Sequence, residues 1–449
     1  MNLGSIVSVA ALMLVVSPAA GAAESEPKVD AVDWFRFLGP TLDGKSPEQG
    51  IRVDWEEEGL PLVWTREVGE GYSAPTVARG LVFQFDRHED SARLVALDRV
   101  TGRQIWVSEY PTQYRDMYGY SGGPRASPVV DEDRVFAFGV EGLLRAHNIE
   151  TGEVIWEVDT TRRFGVVQNF FGVGSTPVVD GDLLITRGGG SPPGSPPIHS
   201  GEVVGNGSGI VAFDKATGEV RYSISDELAS YSSPVVHEIG DRRWGLAFMR
   251  GGLLGFDPQA GRVEFEFSWR ARKLESVNAA TPIVIGDAVF ITESYGPGAA
   301  LVRPEPGTAH VVRVDDPTSR TKSMASHWST PIYHAGFVYG SSGESSGNSD
   351  LRCIDPRTGE IEWAEKLPRS TLLYVDQHLV VLTERGSLML LPATPKGFER
   401  ITAIELGDKL GYPSWNAPVL SHGILYLRGS KSLLALELIE TPARGRVEG

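Results

Sequence analysis

The sequence predicts an all-β chain folded as one ring of eight four-stranded blades, a β-propeller, and two recurring phrases and their spacing carry that expectation. The first phrase is a hairpin: Leu94 to Trp106 reads L-V-A-L-D-R-V-T-G-R-Q-I-W, two short apolar runs around a turn that Asp98 opens and Thr101-Gly102 closes. It recurs at Ala146 to Trp156, Ala212 to Tyr222, Gly255 to Phe265 and Cys353 to Trp363. The second phrase is Ser/Thr-Pro or Ala-Pro, an apolar run, a turn and another apolar run. It stands at Pro75, Pro128, Pro177, Pro234, Pro282, Pro331 and Pro418, with a proline-free copy at Leu372. These eight positions lie 41 to 57 residues apart, and a period near ~50 with about four short strands per repeat marks propeller blades.

Composition agrees. The 52 glycines and 29 prolines fall largely at turns and no long stretch has helical periodicity, which supports an all-β reading. A chain of 449 residues ordinarily divides into domains, but a closed repeat array is one unit at this size. The charge of −16 argues against nucleic acid or an anionic membrane as partner. One cysteine, Cys353, allows no intrachain disulfide; it holds a small-residue position in its hairpin and is expected to be buried without a redox role.

In chain order, 1–23 reads as a signal peptide. Ile6 to Val16 is an apolar run too short to span a bilayer, and Ala20-Gly21-Ala22-Ala23 suits signal peptidase. The mature chain is therefore expected to be exported, periplasmic or extracellular, monomeric and without a membrane span. Residues 24–59 form a leader and a strap, in which Trp34-Phe35-Arg36-Phe37-Leu38-Gly39-Pro40 brings enough apolar surface to pack across the ring. The propeller occupies 60–440, and the charged 441–449 is a disordered tail. Leu62-Val63-Trp64 looks like an outer strand without its hairpin, and Ser432 to Leu438 like a third strand without its fourth. Joining them completes the eighth blade and removes the open sheet edges.

With the Ser/Thr-Pro run as inner strand A and the following runs as B, C and D, the A to B turns are short. Long connections fall between B and C (Arg187 to Gly209, Glu293 to His310, Gly340 to Asp350) and between D and the next A (Glu109 to Ala126, Asp159 to Gly174). These two classes emerge on one face, where binding is expected. The residues before each inner strand then ring the channel mouth: Tyr72, Arg125, Asn169 with Phe171, Tyr231, Asn278, His327 with Trp328, and Trp415 with Asn416. Aromatics, amides, one arginine and one histidine on an axis suit a planar or anionic ligand. Arg125, ending the loop Tyr120-Ser121-Gly122-Gly123-Pro124, is expected to anchor an anionic group there. The histidines show no H-x-H or H-E-x-x-H pairing, Gly188-Gly189-Gly190 lacks a following G-K-S/T, and no G-x-S-x-G elbow accompanies a Ser/His/Asp set, so no transition-metal, phosphate-loop or serine-hydrolase site follows.

The phrase A-x-D-x-x-T-G-x-x-x-W resembles the tryptophan-docking repeat of the quinoprotein (pyrroloquinoline quinone, PQQ) alcohol dehydrogenase-like propellers, over roughly Leu60 to Glu437. The segment W-x-x-F-x-G-P…D-G, completed by Asp43-Gly44, resembles the opening of exported bacterial members. The resemblance implies eight blades, and docking roles for Trp64, Trp106, Trp156, Trp363 and their softer counterparts Tyr222 and Phe265. Dehydrogenases of the family hold PQQ and Ca²⁺ in the channel mouth beside a stacking tryptophan, a catalytic aspartate and a vicinal disulfide. That implies Trp328 or Trp415 over the quinone and Asn169 or Asn278 as calcium ligands. This chain cannot form the disulfide and has no acidic residue directly before an inner strand. The leading expectation is thus a scaffold binding a small molecule or a protein partner. The alternatives are a PQQ- and calcium-dependent dehydrogenase of an alcohol or sugar, and an outer-membrane assembly scaffold. The propeller of that assembly machinery shares the repeat and carries a lipidated N-terminal cysteine that has no counterpart near this start.

Overall fold

The computed structural model describes residues 1, 32–55, 59–166, 170–196, 203–274 and 276–440. The expected signal, most of the leader, the tail and Asn169 lie outside the described residues.

Eight four-stranded antiparallel sheets form the blades of a propeller. Blade 1 comprises Thr76–Ala78, Leu81–His88, Ser91–Asp98 and Gln104–Pro111, strands A to D from the channel outward. Blades 2 to 7 repeat this order over 129–159, 178–224, 235–268, 283–314, 332–366 and 370–405. In blade 8 the strands Val419–Ser421, Ile424–Arg428 and Ser432–Glu437 take their outer strand, Leu62–Glu67, from the other end of the propeller. Leu62 pairs with Leu436 and Glu67 with Ser432, antiparallel, which closes the ring.

The hairpin phrase explains itself locally. Asp98 Oδ1 accepts the amides of Val100 and Thr101 at 3.2 and 2.8 Å, and Asn148, Asp214, Asp257 and Asp355 build the same turn. The residue two before each turn-opening side chain is small because it lies opposite an aromatic ring. Ala96 faces Trp106, Ala146 Trp156, Ala212 Tyr222, Gly255 Phe265 and Cys353 Trp363, with a bulge directly after each. The ring then reaches the next blade. Trp64 lies on Gly102 and donates Nε1–H to the Arg99 carbonyl at 3.0 Å. Trp106 lies on Gly152 and bonds Ile149 at 2.9 Å, Trp156 lies on Gly218 and bonds Lys215 at 3.1 Å, and Tyr222 lies on Gly261 and bonds Pro258 at 2.8 Å. Half-buried Trp363 bonds the Thr394 carbonyl at 2.9 Å. Phe265 differs, staying on its own sheet over Gly255 and against Trp244 at 5.7 Å.

The Ser/Thr before proline has an equally direct role. The backbone amide of Ser127 donates to Thr176 Oγ1, that of Thr176 to Ser233 Oγ, that of Ser233 to Thr281 Oγ1, and that of Thr281 to Thr330 Oγ1. These bonds, at 2.9 to 3.2 Å, hand on from blade 2 to blade 6 around the channel. Apolar burial likewise lies in the clefts between blades. One cluster joins Val77 and Val82 of blade 1, Leu373 and Val380 of blade 7, and Leu420 and Leu427 of blade 8 with Trp34, Ile51 and Trp55.

Trp34, Ile51 and Trp55 belong to the strap, which crosses the face of the A to B turns. The amides of Val77 and Val130 donate to the carbonyls of Trp34 and Phe35 at 2.9 and 2.8 Å. Leu42 shares a cluster with Val178 and Val235, Lys45 bridges to Tyr374, and Asp33 holds His422 Nε2 at 2.8 Å. Phe37 and Leu38 project into the channel and form its floor.

Blade 5 corrects the sequence reading. Glu293 to His310 is not a long connection: Gly298–Glu305 is strand C and Thr308–Val314 strand D, so only 294–297 and a two-residue turn remain as loop. A glycine- and proline-rich run reads as loop, but Pro304 falls in a strand whose hydrogen bonding tolerates it. The remaining elaborated connections lie opposite the strap, and 160–177 opens with a short helix, Thr160–Phe164.

Candidate functional site

The mouth of the channel is a cavity of about 660 Å³. Tyr72, Arg125, Phe171, Tyr231, His327, Trp328, Trp415 and Asn416 line it, each delivered by the residues entering an inner strand. Asn278 does not reach it. Its side chain is buried and donates Nδ2–H to the Met249 carbonyl at 2.6 Å, tying two loops together. The structure adds Tyr118, Tyr120 and Tyr295 from loops, Phe170, and Arg369 before the inner strand of blade 7. Arg369 escaped the sequence reading because blade 7 lacks the proline, although Ser370-Thr371 marked the position.

Arg125 is not a free anion anchor. Its Nη2 pairs with Asp116 Oδ2 at 2.9 Å, and Nη1 donates to the carbonyls of Ser121 and Gly123 at 3.3 and 3.2 Å. Asp116 is buried and saturated, since it also accepts the amides of Tyr118, Tyr120 and Ser121 at 2.8 to 3.0 Å. The guanidinium carbon of Arg125 lies 5.4 Å from the ring of Tyr72 and 5.7 Å from that of Phe171. This pair closes the loop and frames an aromatic wall.

The opposite wall repeats the device. Arg369 grips the buried carboxylate of Glu384, with Nη2 at 2.7 Å from Oε2, and lies 4.3 Å above Trp328 and 5.4 Å from Trp415. Glu384 also accepts Trp415 Nε1–H at 2.9 Å and the Ser346 hydroxyl. Burial would raise its carboxyl, but the donors Arg369, Ser346 and Trp415 outweigh burial and hold it below the usual range. Trp328 and Trp415 stand 5.0 Å apart, and Tyr72 lies 4.8 Å beyond Trp415.

His327 joins this cluster. Burial and the neighbouring Arg369 pull its imidazole down to about 4, so the ring is neutral. Arg369 Nη1, a donor only, lies 3.2 Å from Nδ1, so Nδ1 accepts and Nε2 carries the hydrogen. Nε2 lies 2.7 Å from the Tyr295 hydroxyl, which therefore accepts from it and keeps its own proton to donate. The wall thus combines tilted and edge-on rings with one directed hydroxyl donor, and both its charges are internally matched.

Known proteins resemble this chain in sequence and in fold. A curated outer membrane protein assembly factor BamB from Yersinia pestis is 21% identical over 360 residues, covering 78% of this chain and 83% of that protein. The crystal structure of BamB from Moraxella catarrhalis superposes with a TM-score of 0.58 at 14% identity, over 85% of this chain and 99% of that one. Quinohemoprotein alcohol dehydrogenase from Comamonas testosteroni superposes with a TM-score of 0.63 at 12% identity, over 92% and 81%. At these identities the superpositions establish the fold alone. A family model matches over 49–191 and 95–365, most of the chain, and the protein accordingly belongs to the PQQ-like propeller family described as outer membrane protein assembly factor BamB.

Proposed function

We propose that the protein is an exported binding scaffold that takes an aromatic or apolar segment of a protein partner into the channel mouth, while the loops of the same face hold the rest. The observation that carries this reading is an aromatic cavity whose two arginines are each matched by a saturated, buried carboxylate. Such a pocket gains most from burying rings and little from binding a charge. The family description, a factor for assembling proteins, supports a partner of that class.

The paired indoles Trp328 and Trp415 favour a second reading, the dehydrogenase. PQQ with Ca²⁺ fits these residues poorly. A tricarboxylate needs uncompensated cations, and Arg125 and Arg369 are both neutralised. Calcium needs six or more oxygens, several from carboxylates, while Asp116 and Glu384 have their oxygens occupied. Among the described residues no group of three or more His, Cys, Asp or Glu converges as a metal site.

Titration followed by the fluorescence of Trp328 and Trp415 separates the two. An unstructured peptide with alternating aromatic residues is expected to give a saturable change that Trp328→Ala weakens at least tenfold, and PQQ with Ca²⁺ to give none. Dye-linked alcohol oxidation dependent on PQQ and abolished by Trp415→Ala would overturn the scaffold reading.

A further inference from the structure

A second cavity, of about 250 Å³, lies between blades 2 and 3, away from the channel walls formed by Trp328 and Trp415. Arg187, the last residue of strand Leu183–Arg187, lines it and is fully buried. Its counterpart in blade 8, Arg428, lays both terminal nitrogens on the carbonyls of Gly69 and Gly71. Arg187 has much less: Nη2 donates to the Phe248 carbonyl, while among the described residues Nε and Nη1 have no acceptor. Three N–H donors of one buried cation are therefore unanswered. The Ser191 hydroxyl, also buried and lining the same cavity, is likewise without a partner among the described residues.

The carboxylates nearby do not supply what is missing. No described carboxylate lies within ion-pair distance of Arg187. Glu227 acts on it only at longer range, with Oε2 taken by the amide of Gly251 at 2.9 Å. Glu141 lines the cavity, but its two oxygens accept the Tyr110 and Thr112 hydroxyls. Burial pulls the Arg187 guanidinium down to about 9, outweighing the distant charge of Glu227. A buried arginine left in this state is costly, and a bound anion removes the cost.

We propose that this cavity is a binding site for a small free oxyanion, a carboxylate or phosphate, held by Arg187 through Nε–H and Nη1–H with the Ser191 hydroxyl as a further donor. The loop 188–191 supplies the shape: Gly189 and Gly190 stand where any Cβ would collide with Ala229 and Phe164, so the loop is packed tightly against both.

The test is thermal unfolding of the full chain in acetate and in inorganic phosphate, against chloride at equal ionic strength. One of the two oxyanions is expected to raise the midpoint by several degrees in a saturable way, which also tells the two sources apart. Arg187→Met should abolish the shift, and Ser191→Ala should weaken the apparent affinity severalfold. Should Arg187→Met fail to fold, line broadening of ¹³C-acetate or ³¹P-phosphate by the wild-type protein decides. Broadening that unlabelled oxyanion reverses supports the site. A midpoint and linewidths that match the chloride control, or a shift that persists in Arg187→Met, would overturn it and leave water as the occupant.

Discussion

Arg125 and Arg369 carry the positive charge of the channel mouth, and each is useful there only because a buried carboxylate answers it. Removing one member of such a pair leaves the other stranded. Arg369→Leu should cost about 3 to 5 kcal/mol in urea unfolding, and Arg369→Leu with Glu384→Leu should recover much of the loss. A single variant as stable as wild type would show that the pair is not desolvated. His327 gives a second handle. Its folded pKa near 4 lies below the ordinary 6.5, so between those values the unfolded chain binds more protons. Stability should accordingly fall as pH drops from 6.5 towards 4, and that part of the slope should vanish in His327→Phe. Ring-nitrogen NMR showing His327 protonated at pH 6 would contradict this. Most ring positions of the mouth were legible, since strand phase delivers the residue before each inner strand to the axis. The pairing of Arg125 with Asp116 was not, because they stand nine positions apart along a loop and only the folded loop brings them together.

The hairpin was legible in detail because its signals are local: an Asx turn, a left-handed glycine and a small residue opposite a ring. What the phrase hides is that four of the docking rings, Trp64, Trp106, Trp156 and Tyr222, lie on a turn glycine of the next blade, a non-local condition. Blade 5 has Pro306-Gly307 instead, and Phe265 stays at home. Arg313, opposite Leu301 in that blade's docking position, rests on Gly359 of blade 6. Ala403 holds the same position in blade 7, whose neighbour closes without a C to D hairpin. The rule predicts a contrast between Gly152→Ala and Gly307→Ala. Both glycines are left-handed, at φ +74° and +83°, so both variants carry backbone strain of about 1 kcal/mol. A Cβ on Gly152 also comes within 2.5 Å of the Trp106 ring, whereas one on Gly307 meets open space. Gly152→Ala should therefore be the more destabilising by a further ~1 to 3 kcal/mol in chemical denaturation. Equal losses would mean that the docking contact is slack.

Across the whole ring, the hydroxyls before the prolines connect blades that share no covalent link other than the chain itself. Thr176→Val keeps the shape and deletes the acceptor for the Ser127 amide, which is buried. About 1 to 3 kcal/mol should be lost, and because blades lean on one another the loss should appear as a shift of one cooperative transition. A separate early melting step would show that blades 2 and 3 unfold independently. The strap has a consequence of another kind. With Phe37 and Leu38 as its floor, the central cavity opens, among the described residues, on the face that carries the long loops. On the proposed function, traffic there is last in, first out: a macromolecule seated over that opening must leave before anything beneath it escapes, so the residence time of a deeper guest would be set by the grip of the outer one.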